Sequence, residues 1–266
     1  MRRLAPLLLL PLAAPADAQR LPYRPVSDDA LAVRLAAPSV ADDPAPALPG
    51  ESAREKRRRL LRWGLLDRFE HATQSGRDSY SWDFSALLGG ERDRLWLASV
   101  GDGEAWRGPD YLEFHALYSR YVGSNVDLNA GVRWDAHPSP DRLHATLGVQ
   151  YDGEPLWAGL FAYASDEGEL GARLAALYNQ KLPGKLVLQP SFELDWIGED
   201  VPELGLGRGF HYAEAGLRLR YEWREALAPY VGLSWERSLG RTARLERAAG
   251  EDPEATSLVL GLRSSF

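Results

Sequence analysis

Apolar and polar side chains alternate with a period of two over long stretches of this chain, and this pattern limits the fold more than any other feature. In NVDLNAGVRWD, residues 125–135, Val126 and Leu128 share one face of an extended chain while Asp127 and Arg133 share the other. A helical period does not fit this segment. The alternation predicts a strand, but it does not show which face is in contact with water. It fits equally a soluble sheet with an apolar core or a barrel whose apolar face contacts lipid.

The N-terminal residues predict export. The start MRRLAPLLLLPLAAPADA combines a basic beginning, a short apolar run and a small-residue cleavage site, which together are typical of a secretory signal peptide over residues 1–18. This run is too short for a membrane-spanning helix, which needs about 18 apolar residues, and no run elsewhere in the chain reaches that length. Residues 19–63 begin rich in Pro, Ala and Asp, so we expect a disordered periplasmic arm, with a short basic helix that ends at Gly64.

The remainder of the chain, residues 64–266, repeats the alternation in about twelve segments of the length that a tilted strand needs to cross a bilayer. Long and short connections alternate, and Trp and Tyr lie near the segment ends, as interfacial girdles require. The polar face carries repeated charges that a dry core would not tolerate. We therefore expect an all-β fold, an antiparallel transmembrane β-barrel of about twelve strands, monomeric and surrounded by outer-membrane lipid.

Composition narrows the partners and the chemistry. The net charge of −7 and the pI of about 5.4 give no reason to expect a nucleic-acid partner. The chain has no cysteine, and its one methionine, Met1, belongs to the predicted signal peptide. The mature chain is therefore expected to contain no sulfur, which excludes disulfides, thiolate and thioether metal ligands and cysteine nucleophiles.

Several segments resemble, in chain order, the bacterial copper-resistance protein B family. They are RFE, WDFSALLGGERDRLWL, LYSRYV, DLNAGVRWD, LHATLGVQYDG, LQPSFELD, GLRLRYEWREALAPYVGLSWERSLGRTA and GLRSSF. The resemblance implies an outer-membrane barrel that takes part in copper binding, copper homeostasis and copper tolerance, beside other copper-resistance proteins. The terminal Phe266 is similar to the closing aromatic of outer-membrane strands that the barrel-assembly machinery reads.

The chain departs from that family pattern in two places. Members usually carry a Met- and His-rich arm, whereas the arm here has neither residue type after Met1. Where the family tends to place Lys and Glu in the third strand, this chain has Ala98 and Val100. Without thioether ligands, any copper is expected to be Cu(II) on imidazole and carboxylate rather than Cu(I).

The metal ligands that we consider are Glu113, His115 and His144. Glu113 and His115 share a strand face by their spacing, and His144 lies on the polar face of its own strand. Imidazole with carboxylate suits Cu(II), and the alternative is a hydrogen-bonded lumen pair without metal. His137 and His211 lie near predicted strand ends, where we expect them to be solvated.

Charges of both signs recur on the predicted lumen face. They could form a salt-bridge network that fills the barrel, or they could line a polar conduit. An enzyme is the third class, but His144 and Ser191 lack any nucleophile–base–orienter signature, so we expect no catalytic site. The network residues are Arg68, Glu70, Asp83, Asp127, Arg133, Glu193, Arg218, Arg220, Glu222 and Glu236.

Overall fold

The structure, a computed structural model, describes most of the chain from residue 61 onward. The predicted signal peptide, residues 1–18, lies outside the described residues, and so does the predicted arm apart from its last three residues, 61–63. The described residues are 61–74, 77–90, 92–104, 108–224 and 226–266.

Antiparallel strands account for nearly all of the described chain. In chain order they are β1 (Leu61–Gln74), β2 (Arg77–Gly89), β3 (Asp93–Glu104), β4 (Tyr111–Gly123), β5 (Val126–His137), β6 (Arg142–Asp152), β7 (Leu156–Ser165), β8 (Leu170–Tyr178), β9 (Gln180–Leu182), β10 (Leu186–Ile197), β11 (Gly209–Tyr221), β12 (Leu227–Ser238) and β13 (Glu254–Ser265). A short 3₁₀ helix, Pro202–Leu204, lies between β10 and β11, and α1, Gly240–Ala249, lies between β12 and β13.

The sheet closes into a barrel. Each strand pairs with its neighbour in sequence, and β13 pairs back onto β1 along Leu65–Thr73. Both β8 and β9 pair with β10, so these two segments form one position in the wall, interrupted at Asn179. Twelve wall positions result, which confirms the predicted barrel and its strand number. Closure leaves no strand edge exposed to lipid.

The burial pattern is the reverse of that in a soluble protein. Large apolar side chains point outward: Leu147 on β6 has 67% of its surface exposed. Charged side chains point inward: Asp127 on β5 is 0% exposed. Residues of both kinds alternate along the strands, because successive side chains leave opposite faces of a sheet. The apolar face therefore meets the lipid and the charged face lines the lumen, which decides between the two readings of the alternation.

The two barrel ends differ in their connections. Tight turns join β4 to β5 and β6 to β7 at the end where residues 61 and 266 also lie, and we call this end periplasmic. The longer connections, including 198–208 and 239–253, lie at the other end, which we call extracellular. Neither helix in the described part of the chain is long and apolar enough to span a bilayer.

Two local features differ from the sequence analysis. The last four residues of the basic helix predicted to end at Gly64 form a strand instead, because Leu61–Gly64 pair with Ala86–Gly89 of β2. The strand β1 therefore begins three residues before the predicted start of the barrel. The long connection after β12 contains a ten-residue helix, α1, which the sequence analysis did not predict.

Candidate functional site

Aromatic and aliphatic side chains fill part of the lumen. Trp96, Leu117, Trp157 and Phe161 are almost fully buried and form one apolar layer with their neighbours. Trp96 lies 6.2 Å from Phe161 between ring centroids, so the layer is contributed from different walls of the barrel. Ala98 and Val100, at the positions where the family tends to have charges, face this layer and belong to it.

Glu113 and His115 lie together in the lumen, as their spacing on β4 predicted. His115 Nε2 and the Tyr111 hydroxyl each hydrogen-bond a different oxygen of the Glu113 carboxylate. The β4–β5 register places Arg133 directly opposite His115, and its Nη2 lies 2.7 Å from Glu113 Oε2. Glu113 is 0% exposed, so this carboxylate is buried and its charge is compensated by its neighbours.

Arg133 also connects this pair to His144. Its Nε and Nη2 donate to the two oxygens of Asp135 at 2.6 and 2.8 Å, and His144 Nε2 lies 3.2 Å from Asp135 Oδ2. The three candidate metal ligands therefore belong to one chain of contacts that crosses β4, β5 and β6. The structure brings them into one network without placing them around a single point.

Arg173 continues the network to β10. Its guanidinium donates to both oxygens of Asp195, at 2.8 and 3.1 Å, and lies 3.6 Å from Glu113 and 3.5 Å from Glu193. Bidentate contacts of this kind are strong, because a planar guanidinium matches both oxygens of a carboxylate.

A cavity of about 60 Å³ adjoins this network at the extracellular end of the lumen. His144 and His211 both line it, with Asp135 and Asp195. We expected His211 to be solvated, but it is buried. The reason is an irregularity in the β10–β11 register: Asp195 pairs with Tyr212 and Trp196 with Phe210, so His211 is the additional residue of a bulge, and bulges redirect side chains.

We use the name extracellular cluster for the charged and imidazole side chains of this network and of the cavity lining, including Arg142 and Glu169. It holds more carboxylates than guanidinium groups. Five carboxylates face three arginines, so the cluster carries a surplus of two negative charges when its imidazoles are neutral. Its members are Glu113, Asp135, Glu169, Glu193 and Asp195; Arg133, Arg142 and Arg173; and His115, His144 and His211.

A second group of ion pairs lies deeper in the lumen. Arg218 contacts Glu70 at 2.7 Å, Arg68 lies 3.8 Å from Glu70, and Arg94 contacts Asp127 at 2.6 Å. Every lumen cation in these described pairs is an arginine. The chain has only three lysines, Lys56, Lys181 and Lys185, and the two that the structure describes lie at the periplasmic end.

Most of the predicted network residues lie on the lumen face. Asp83 is buried on β2, Arg220 is buried on β11, and Glu236 is half-buried on the inner face of β12. Glu222 differs from the others, because β11 ends at Tyr221 and the Glu222 side chain is half exposed beyond the strand, but its carboxylate lies 3.7 Å from Arg220 Nη2.

Sequence reasoning missed partners that the alternation could have supplied. Asp135, Asp195 and Glu214 fall on the polar face of their strands, yet none was named among the network residues. Arg142 belongs with them, because it shares the polar face of β6 with His144. His211 could not be found this way, since its orientation depends on a bulge.

The donor set fits Cu(II) chemically but does not form a ready-made site. Among the described residues, no group of three His, Asp or Glu side chains is arranged to hold a metal ion. The Nδ1 atoms of His115 and His144 are nevertheless buried and find no hydrogen-bond partner within the described structure. A buried nitrogen acceptor without a hydrogen-bond donor could instead bind a cation that prefers imidazole, such as Cu(II).

Comparisons with known proteins agree with this architecture. The family described as copper resistance protein B precursor (CopB) matches residues 61–266. A copper resistance protein B homolog of Pseudomonas syringae pv. tomato is 38% identical over 204 residues, which is 76% of this chain and 69% of that protein. Copper resistance protein B of Escherichia coli is 36% identical over 209 residues, 76% of this chain and 68% of that protein.

A solved structure shows the same fold at much lower identity. The NanC porin is 12% identical, and the match covers 76% of this chain and 98% of the porin with a TM-score of 0.52. The closed barrel with its lipid-facing exterior is that of an outer-membrane protein. On the match over residues 61–266 and the identities above 35%, this chain belongs to the copper resistance protein B family.

Proposed function

We propose that this outer-membrane barrel takes part in copper tolerance by binding Cu(II) in the extracellular cluster. The observation that carries the proposal is the composition of that cluster: three imidazoles and a surplus of carboxylates lie together in a buried region next to a cavity. An excess of buried negative charge is costly unless protons or cations compensate it. Family membership supplies copper as the cation to test first.

His115 and His144 are the imidazoles that we assign to the metal, with Glu113 as a carboxylate ligand. Both rings already use Nε2 on a carboxylate, which leaves Nδ1 to bind a cation. Imidazole nitrogen and carboxylate oxygen are ligands for Cu(II), whereas Cu(I) prefers the sulfur ligands that the mature chain lacks. Arg133 holds Glu113 and Asp135, so we expect metal binding to loosen at least one of these ion pairs.

A conducting barrel without metal sites is the alternative. The apolar layer of Trp96, Leu117, Trp157 and Phe161 argues against it, since these side chains occupy the space through which ions would pass. Catalysis has less support than either, because Ser191 accepts a hydrogen bond from Arg218 at 3.2 Å while His144 contacts Asp135. The proposed partners, other copper-resistance proteins and the barrel-assembly machinery, rest on the family and on Phe266.

Metal titration of the refolded full chain tests the proposal. We expect Cu(II) to bind to the barrel in detergent or lipid, and His115→Ala to weaken binding by about tenfold or more, as loss of one ligand does. His137→Ala is the matched control, because His137 is an exposed histidine at the rim of β5. His144→Ala should weaken binding as well if both imidazoles contact the ion.

Three results would contradict this assignment. Tight Cu(I) binding would show that the ligand chemistry is different from the one proposed. Cu(II) binding that is equally strong in His115→Ala and His137→Ala would place the metal elsewhere. Absence of any copper binding would favour the structural or conducting alternative.

A further inference from the structure

The connection between β10 and β11, residues 198–208, lies at the extracellular end of the barrel and contributes to the lining of the cavity. Val201 and Leu206 pair through a backbone bridge, and the 3₁₀ helix Pro202–Leu204 forms the tip between them. Gly205 reverses the chain after that helix with φ of 70°, a conformation that glycine adopts without strain. The segment is therefore a compact, internally bonded unit.

The underside of this segment is apolar and faces the lumen. Val201 and Leu206 are almost fully buried and join the same apolar cluster as Ile197 and Tyr163, with Leu204 packed against it. Leu204 and Leu206 also line the cavity that holds His144 and His211. Residues 198–208 thus form the roof of the cavity.

The helix α1 supports the roof from one side. The Gly207 amide donates to Thr242 Oγ1 at 2.9 Å, and Arg241 Nη1 lies 2.7 Å from Asp200 Oδ2. The helix itself is held to the barrel, because Ser238 Oγ on β12 donates to Glu246 at 2.7 Å.

Arg142 links the roof to the wall at β6 and β8. Its Nε donates to both oxygens of Glu169, which lies just before β8, at 3.1 Å, and its Nη2 donates to Glu203 of the roof at 2.8 Å. Arg142 is buried, but 50% of the Glu203 side chain is exposed. The contact that reaches the roof is therefore open to water and to screening by salt.

We propose that residues 198–208 are a lid over an extracellular chamber and that Arg142 is the latch that keeps it closed. Opening the lid breaks the exposed Arg142–Glu203 contact, and it leaves the bifurcated hydrogen bond from Arg142 Nε to Glu169 on the wall. Solutes then reach the chamber from the extracellular side, while the apolar layer below keeps it separate from the periplasm. This inference goes beyond the proposed function and holds whichever ion the chamber receives.

The absence of cysteine from the chain allows a direct test by cysteine accessibility. Gly171 lines the cavity, and a Cβ at this position meets nothing nearer than 3.5 Å, so the Cβ of Gly171→Cys fits on the cavity wall. The full chain carrying this change is refolded into lipid vesicles and treated with a charged, membrane-impermeant methanethiosulfonate. Glu167→Cys, in the exposed loop between β7 and β8, gives the rate for an open thiol.

We expect Gly171→Cys to react far more slowly than Glu167→Cys. Adding Glu203→Gln should raise the rate by about threefold to fivefold, as loss of a partly exposed ion pair allows. Adding Arg142→Gln, which also removes the hydrogen bonds to Glu169, should raise it by about tenfold or more. Arg237→Gln is the control, because Arg237 contacts Glu254 at 3.3 Å in an exposed pair at the same rim.

Salt provides a second measurement on the same proteins. High salt should speed the reaction of Gly171→Cys, because it screens both exposed ion pairs of residues 198–208, Arg142–Glu203 and Arg241–Asp200. The acceleration should be smaller once Arg142→Gln has removed the first of these pairs. Heat-modifiable gel mobility verifies folding of each variant. If Arg142→Gln does not fold, Glu203→Gln carries the test, because its side chain is half exposed.

Two outcomes overturn the proposal. If Gly171→Cys reacts as fast as Glu167→Cys, the chamber is open and there is no lid. If neither Arg142→Gln nor Glu203→Gln changes the rate relative to Arg237→Gln, Arg142 is not the latch. Both outcomes are independent of copper, so they do not bear on the proposed metal function.

Discussion

Replacing Glu113 by Gln should cost far more stability than the same change at a surface ion pair. The Glu113 carboxylate is fully buried and lies 2.7 Å from Arg133 and 3.6 Å from Arg173. Removing one partner of a buried ion pair costs roughly 3–5 kcal/mol, because the remaining charge is left without compensation. Each arginine keeps a second carboxylate, Asp135 or Asp195, and the change removes one of the two surplus negative charges of the extracellular cluster. We therefore expect the lower end, about 3 kcal/mol, from the contacts that Arg133, Tyr111 and His115 lose.

Glu154→Gln is the matched control. Glu154 contacts Lys181 at 2.9 Å, nearly the same distance, but its side chain is 65% exposed. An exposed pair of this kind contributes at most about 1 kcal/mol. The assay is equilibrium urea unfolding of the metal-free barrel in lipid vesicles, followed by tryptophan fluorescence. If both variants lose the same free energy of unfolding, burial does not determine the strength of this network and the reasoning fails.

Three further predictions concern assembly, conduction and copper. Deleting Phe266 should lower the yield of heat-modifiable folded barrel, because its amide and carbonyl pair with Gly64 and its ring stacks on Phe84; an unchanged yield would count against this role. In planar bilayers the protein should show no open-channel steps, since Trp157 and Phe161 fill the lumen, and regular porin-like steps would contradict that reading. Cu(II) affinity should fall as the pH is lowered, because protons compete with the metal for an imidazole nitrogen; an affinity that does not depend on pH would count against imidazole ligands.

The period-two pattern predicted the barrel because burial in a lipid-facing sheet depends only on which face a residue occupies. Asp127 and Leu128, assigned to opposite faces from the sequence, are fully buried and half exposed respectively. The same rule placed Glu113 with His115, since residues two apart on a strand project to the same side. These features needed no knowledge of strand partners.

Features that depend on pairing partners or on loop contacts could not be predicted in this way. His211 turns inward because β11 has one more residue than β10 at that point, and a bulge leaves no mark in the alternation. Glu222 was assigned to the lumen because the pattern does not show where β11 ends. The ten-residue helix α1 and the latch at Arg142 depend on tertiary contacts with residues 198–208.

Because every cation in the described lumen pairs is an arginine, the net charge of the lumen responds to acid but hardly to alkali. A guanidinium group keeps its charge throughout the pH range in which proteins are studied, whereas carboxylates and imidazoles take up protons as the solution becomes acidic. Acid can therefore add net positive charge to the interior, and alkali cannot remove the charges that the arginines hold. A lumen built with lysines would also lose positive charge in alkali, because an ammonium group can give up its proton. This barrel should tolerate alkaline surroundings and yield to acid, when like charges that no longer have counterions repel one another across a closed wall.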